Sequence, residues 1–301
     1  MSRRTAVGLA LALLASLLVV VVAVLPRLDD DGPTTRPPVP TPTPTPTPTP
    51  GPTPAAAPVV VAQGNLKVSL SREQFAEDLA AVVDGRPDLV SLNEVGRRSD
   101  RALTPRGYAM HRGPATEPRT QTRSTAVLWR TDRWTRVRSG RVLMVADGPQ
   151  KWDAGRSATW ATLRRTDGLV VSVVSVHHMI NPGRYGPDRP RRQALYREGV
   201  ATVRDLAARL SARGPVFVAG DFNASWRTRA DWGPRSVLGP AGFRPTMAVL
   251  GRVATHDAGA VLDQVYFQRS SARPVRQWTA PLHSDHHLLA AEFEVVPASP
   301  A

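Results

Sequence analysis

The sequence predicts an α/β fold: a four-layer α/β sandwich in which two mixed β-sheets pack face to face with helices outside. Three observations carry this. Short β-rich runs crowd the region from 107 to 179 and are joined by hairpin-like turns. Two stretches, one on either side of that region, repeat apolar residues with the period of an amphipathic helix. The apolar runs next to these helices read as buried strands, and each ends in polar residues.

The elements follow in order. "APVVVAQGNLKV" reads as a strand that ends in polar residues. "SREQFAEDLAAVVDG" reads as a helix: Ser71 is the N-cap, Gln74 completes a capping box, and Gly85 sits near the end. Its apolar stripe is Phe75, Leu79, Val82 and Val83. "PDLVSLNEV" is a second buried strand. The β-rich middle contains "GYAMHR", "STAVLWRT", "WTRVRSGRVLMV", "SATWATLRR" and "LVVSVVSVHHM", with the turn "RTDG" joining the last two as a hairpin. "RRQALYREGVATVRDLAARLSARG" is a long helix, apolar at 195, 196, 200, 203, 206, 207 and 210 and ended by Gly214. "PVFVAGD" is a buried strand, with Gly220 expected to allow a tight turn after Ala219. "AVLDQVYFQ" and "HLLAAEFEVV" are the closing strands.

The chain before residue 58 is of another kind. Residues 5–25 are apolar and uncharged, and as a helix they would span about 31 Å, the thickness of a bilayer core. Arg3 and Arg4 precede this stretch and Asp29, Asp30 and Asp31 follow it, which places residues 1–4 in the cytoplasm and the remainder outside. The expectation is an uncleaved transmembrane anchor, with a cleaved signal segment and a secreted product as the alternative. Residues 26–57 are rich in threonine and proline. Alternating proline cannot sustain helix or sheet ladders, so this tract is an extended spacer that holds the following domain away from the membrane. The domain is therefore 58–301.

Net charge is +14, from 39 basic and 25 acidic residues, and only Lys67 and Lys151 are lysines. Four of the basic and three of the acidic residues precede position 58, so the domain itself carries +13. Such charge suits acidic partners: nucleic acid, phosphorylated ligands or anionic headgroups. The absence of cysteine excludes disulfides and thiolate metal sites.

The chemistry lies at the strand ends. Asn65, Glu94, His177 with His178, and Asp221 with Asn223 each follow a buried run, and Asp263 and Ser284-Asp285-His286 lie in or beside the closing strands. One polar strand end is ordinary turn chemistry, but six together suggest a site beyond the strand ends. Asn65 and Glu94 offer hard oxygen ligands suited to Mg²⁺ or Mn²⁺. His286 can contact a phosphate oxygen or take a proton from water, with Asp263 orienting its ring. Asp221 can position or deprotonate water, and Asn223 can donate to phosphoryl oxygens as charge develops. Together these describe metal-assisted phosphoester hydrolysis.

These residues resemble the motifs of the endonuclease/exonuclease/phosphatase superfamily, the fold of deoxyribonuclease-like enzymes, neutral sphingomyelinases and inositol-phosphate phosphatases. The resemblance covers nearly all of 58–297 in the family's order. Gly-Asp-Phe-Asn is present whole at 220–223, and Ser-Asp-His stands at 284–286. The family's Leu-Gln-Glu appears as Leu-Asn-Glu, with Asn93 in place of glutamine, and its Ile-Asp-Tyr-Ile strand is similar to "LDQVY". The resemblance implies metal ligation by Asn65 and Glu94, with Asp285 assisting. It also implies catalytic roles for His177, Asp221, Asn223, Asp263 and His286, with either Asp221 or His286 as the base. Strand alternation lets only one of His177 and His178 face the site, and the motif selects His177.

The expected function is thus Mg²⁺-dependent hydrolysis of a phosphoester, by a phosphodiesterase or nuclease or by a phosphatase, outside the cell membrane and as a monomer. DNA and RNA are candidate substrates. The alternatives are a sphingomyelinase-like phospholipid hydrolase and a non-catalytic module that binds nucleic acid or another anionic polymer. Trp226 and Trp232 either stack substrate or pack in the core, and the arginines at 189, 191 and 192 either contact phosphate or begin a solvated helix. The loops 181–190 and 224–241 are expected to rim the site. His111, His256, His283 and His287 are expected to be bystanders.

Overall fold

Alternation of side chains along each strand decides how this chain layers. The computed structural model describes residues 58–114, 123–146, 148, 155–180 and 186–295. The expected anchor at 5–25, the spacer at 26–57 and residues 181–185 of the predicted rim loop lie outside the described residues. Among the described residues no helix is long and apolar enough to cross a membrane.

One six-stranded sheet contains β1 (Val59–Asn65), β2 (Leu89–Asn93), β3 (Tyr108–Arg112), β4 (Ala126–Arg130), β11 (Ala272–Ala280) and β12 (Leu288–Val295), in the order β11-β12-β1-β2-β4-β3. The other contains β5 (Trp134–Val145), β6 (Arg156–Arg165), β7 (Val170–His177), β8 (Val216–Asp221), β9 (Phe243–Pro245) and β10 (Asp263–Gln268), in the order β5-β6-β7-β8-β10-β9. Each sheet has one parallel pair, β1 with β2 and β7 with β8, and its other pairs are antiparallel. A parallel pair needs a crossover, and helices α1 (Arg72–Asp84) and α2 (Arg189–Ser211) supply the two.

Helix α1 begins as its sequence requires: the Ser71 hydroxyl accepts from Gln74 N, and Gln74 Oε1 accepts from Ser71 N, both at 3.1 Å. Its buried residues Phe75, Leu79 and Val82 pack on Ala62, Val90, Leu92 and Leu128 of the first sheet. Helix α2 buries Tyr196, Val200, Val203, Leu206, Ala207 and Leu210 against Val174, Val176, Val216 and Val218 of the second sheet. A third cluster lies between the sheets, with Val59, Val61, Leu89 and Leu289 facing Val171, Val173, Phe217 and Val265. The result is four layers, helix on sheet on sheet on helix, the predicted α/β sandwich.

Four elements escape a reading of the sequence: β9, β11, α3 (Pro234–Leu238) and α4 (Met247–Leu250). Three of these are too short to show a period. Strand β11, "ARPVRQWTA", sits at a sheet edge, and its arginines hide its alternation. Arg273 and Arg276 pair across the ladder with Glu294 and Glu292 of β12.

One expectation is corrected. Gly220 makes no turn; it lies inside β8, between Val176 and Gln264 of the neighbouring strands. Its φ is +156°, and a Cβ there would stand 1.9 Å from the Val176 carbonyl oxygen. Glycine is required by the close approach of β7's backbone.

The inter-sheet layer changes character along its strands. Residues facing the other sheet run Val59, Val61, Gln63, Asn65 on β1 and Leu89, Ser91, Asn93 on β2. They run Val171, Val173, Ser175, His177 on β7 and Phe217, Ala219, Asp221 on β8. On the antiparallel β10 the same sequence is met backwards, from Asp263 to Val265 and Phe267. At one end the sandwich is closed by hydrocarbon; at the other it becomes polar.

Candidate active site

The polar end of this layer opens into a cleft of about 390 Å³, whose walls include Glu94, Arg156, His177, Asp221, Asn223, His256 and His286. Register brings its residues level. Asn65 pairs with Asn93, and Asp221 pairs with His177 on one side and Asp263 on the other.

Asp221 is the centre. Its Oδ2 accepts from Asn65 Nδ2 at 3.1 Å and from Asn223 Nδ2 at 3.2 Å. The same oxygen lies 3.6 Å from His177 Nε2 and 3.9 Å from His286 Nε2. Its Oδ1 accepts from Asn223 N at 2.7 Å, a turn closed by the left-handed backbone of Asn223, φ +48°. Phe222 between them turns into the α2 side of the second sheet. Burial, and then the charge of Asp263, pushes the Asp221 carboxyl up to about 7.

His286 Nδ1 is 2.7 Å from Asp263 Oδ2. Burial works against a charge on this ring, but the bond to Asp263 and the charges of Asp263, Asp221 and Asp285 outweigh it and lift the imidazole to about 9. His177 behaves oppositely: burial, helped by the nearby Arg156 charge, holds it well below its ordinary value. Of the adjacent histidines, His177 faces the cleft, whereas His178 turns to the α2 side and stacks on Tyr196 and Phe222 at 5.1 and 5.2 Å.

Glu94 follows β2 with φ +62°, a left-handed conformation that glutamate seldom adopts. That bend turns its carboxylate back over β1, where Oε1 accepts from Asn65 Nδ2 at 3.3 Å and Oε2 from Val68 N at 2.9 Å. Asn65 Oδ1 is buried without a hydrogen-bond partner. Two carboxylates converging on one amide, beside an orphaned amide oxygen, form an all-oxygen donor set that fits a hard divalent cation. Asp285 has a carboxylate oxygen within 4.8 Å of a ring nitrogen of His286. It is bound to Lys67 at 2.9 Å, and among the described residues no hydrogen bond or ion pair joins it to Asn65 or Glu94.

The expected site residues thus converge on the cleft, Asp285 at its edge beside His256 and His286, and four residues join them that the sequence did not mark. Gln63, wholly buried on β1, donates through Nε2 to Asn93 Oδ1 at 2.8 Å and to Asp263 Oδ1 at 3.2 Å. Asn93 Oδ1 in turn accepts from Asp221 N at 2.8 Å. Arg156, at the start of β6, brings a buried guanidinium to the cleft wall. Buried Asp78 of α1 accepts from His283 N at 2.6 Å and Ser284 N at 3.0 Å, anchoring the loop that carries His286. His256, expected to be a bystander, is part of the wall. Only its tertiary setting reveals this, because its sequence neighbourhood has no motif.

The other expectations resolve simply. Trp226 packs on the inter-sheet core, Trp232 packs on the α2 side edge-on to Tyr196 at 5.5 Å, and neither lines the cleft. Arg189 and Arg191 are exposed in the first turn of α2, and Arg192 is buried there. His283 contacts Glu77, His287 contacts Asp257, and His111 is half-buried on β3 near Arg136.

A model of the endonuclease/exonuclease/phosphatase family matches residues 62–286, from β1 to His286. The chain belongs to that family. No curated protein matches it in sequence. Solved structures of family members share its fold. An endonuclease/exonuclease/phosphatase from Bacteroides vulgatus superposes with a TM-score of 0.62 at 16% identity, over 79% of this chain and 99% of that one. The mannosyl-6-phosphatase of Bacteroides thetaiotaomicron gives 0.57 at 15%, over 78% and 99%. D. rerio TDP2, complexed with a single-strand DNA product, gives 0.59 at 15%, over 79% and 99%. As a member of the endonuclease/exonuclease/phosphatase family, the chain is a metal-dependent hydrolase of phosphoester bonds.

Proposed function

We propose that this chain is a Mg²⁺-dependent phosphodiesterase or phosphatase, held outside the cell membrane by its N-terminal segment. One observation carries the catalytic reading: a single buried carboxylate oxygen, Asp221 Oδ2, is faced by Asn65, Asn223, His177 and the Asp263-bound His286 within one open cleft.

The residues divide the work by charge. Asp221, raised to about 7, is the base: at neutral pH a useful fraction is ionised and it accepts a proton from an attacking water. His286, raised to about 9, is already a cation at that pH, so it serves as a donor to a phosphoryl oxygen and not as the base. Asp263 keeps its ring oriented and charged. His177, held neutral, can donate one hydrogen bond to the same group. Asn223 holds Asp221 through two bonds, and its amide also donates to the His178 carbonyl at 3.0 Å, which fixes the carboxylate in place. Water oxygen bonds to phosphorus, its proton passes to Asp221, and the ester P–O bond breaks with its electron pair leaving on the alcohol oxygen. Mg²⁺ at Asn65 and Glu94 would supply neutralising charge for the phosphoryl and leaving oxygens.

The location rests on the uncharged stretch 5–25, the flanking Arg3, Arg4 and Asp29–31, and the proline tract that follows. The test is a panel assay of the purified full-length chain on plasmid DNA, sphingomyelin and inositol phosphates, with and without EDTA. EDTA-sensitive release from at least one is expected. No EDTA-sensitive release from any, together with binding of nucleic acid that is unchanged in Asp221→Ala and His286→Ala, would replace the hydrolase with a binding module.

A further inference from the structure

The segment between α4 and β10 carries an imidazole that the reaction described above does not use. His256 lines the cleft and forms a β-bridge with His286, the two rings lying edge to face at 4.9 Å. One nitrogen of each ring and one carboxylate oxygen of Asp285 all lie within 4.8 Å of one another.

The position is rigidly held. Buried Thr255 accepts through Oγ1 from Leu262 N and Asp263 N, each at 3.0 Å, and its carbonyl accepts from His287 N at 2.9 Å. Asp257 N donates to the Asp285 carbonyl at 3.0 Å, and Gly259 N to the His256 carbonyl at 2.8 Å. The loop is thus stitched both to the strand that carries Asp263 and to the segment that carries His286.

The ring's tautomer follows from one bond. Ala258 N–H donates to His256 Nδ1 at 3.1 Å. An N–H can donate only to an unprotonated nitrogen, so the ring proton of His256 sits on Nε2. That N–H has no hydrogen-bond partner among the described residues. The trio His256, Asp285 and His286 has the composition of a metal site, but the tautomer opposes it. Ligation through Nε2 would move the proton to Nδ1, against the Ala258 N–H. Asp285 is moreover already paired with Lys67, which neutralises it. An N–H donor beside a second cleft imidazole, next to a carboxylate already paired with a lysine, suits an anion.

We infer that His256 is a substrate-contacting residue: its Nε2–H donates to an oxygen of the phosphoryl group that His286 also holds. One nitrogen of each ring lies within 4.8 Å of the other and both rings border the same cleft, a spacing that a single phosphoryl group can bridge through bonds of about 2.9 Å. This rests on the phosphoester reading of the cleft and adds a specific contact to it.

His256→Asn separates contact from structure. The asparagine carbonyl can accept from Ala258 N–H two residues on and preserve the loop, but its amide cannot reach as far as Nε2. Inorganic phosphate is the probe, titrated calorimetrically into the full-length chain with Mg²⁺, beside the His256→Phe variant, which keeps a ring and loses both nitrogens. The expectation is that both variants bind phosphate about ten-fold or more weakly than the parent, with unchanged melting temperatures for His256→Asn. In the parent, ¹⁵N spectra should show the Nε2-protonated tautomer at His256. Parent-like affinity in His256→Asn, an Nδ1-protonated ring, or no phosphate binding by the parent would each overturn the inference. A parent that binds phosphate through His256 yet hydrolyses nothing would overturn the proposed reaction and leave this contact standing.

Discussion

At the scale of the residue, the site works because neighbours push like groups in opposite directions. His177 and His286 are both buried histidines within 4 Å of Asp221 Oδ2, but only His286 has a carboxylate at its far nitrogen. Removing that carboxylate should be visible in pH dependence. Activity of the parent should decline above about pH 9 as His286 loses its proton. In Asp263→Asn the alkaline limb should move to lower pH, read from kcat/KM across pH 5 to 10 in buffers of constant ionic strength. An unmoved limb would remove His286 from the role given to it. Replacing Asp221 by asparagine, which preserves shape and removes the base, should lower kcat by about 10² or more while the fold persists. Gln63 offers a subtler test. Its amide joins Asn93, which holds the Asp221 backbone, to Asp263, which holds His286. Gln63→Leu should lower kcat more than it raises KM, because it loosens the geometry of both groups without touching the substrate.

At the scale of the element, the parallel pairs are the mounts. Each delivers two site residues in one register, and the crossover helices cover their outer faces. Gly220→Ala should test how tightly the β7–β8 mount is drawn. A methyl group directed at the Val176 carbonyl should cost at least about 2 kcal/mol in denaturant-unfolding stability. Much of this scale was legible in the sequence. The capping box announced α1, the apolar spacing announced α2, and alternation along β7 separated His177 from His178. What stayed hidden had physical reasons. Strand β11 masks its period with arginines that find glutamates only across the ladder. Gly220 in sequence cannot distinguish a turn from a crowded strand. Gln63, Arg156, Asp78 and His256 owe their places at or behind the cleft to contacts with residues distant in the chain, which no local pattern encodes.

At the scale of the whole molecule, the inter-sheet layer couples catalysis to stability. Asp221 is raised in the folded state to about 7, so between its ordinary value and 7 the native state holds more protons than the unfolded chain, and stability falls as pH rises. His286, raised to about 9, carries the same sign: its contribution is complete below its unfolded value near 6.5 and is lost as pH climbs to 9. The metal-stripped protein should therefore melt at progressively lower temperature from about pH 5 to 9. Mg²⁺ should recover more of that loss at pH 8 than at pH 5, as scanning calorimetry with and without EDTA would show. Glu94 sets a different kind of limit. Its left-handed backbone costs of order 1–3 kcal/mol that glycine would not incur. Random substitution followed by selection for expression alone would favour replacements at 94 that relax the bend and discard the carboxylate. Maintaining the enzyme over generations thus requires continuous selection for turnover, because at this position drift toward a sturdier protein and drift toward a dead one run the same way.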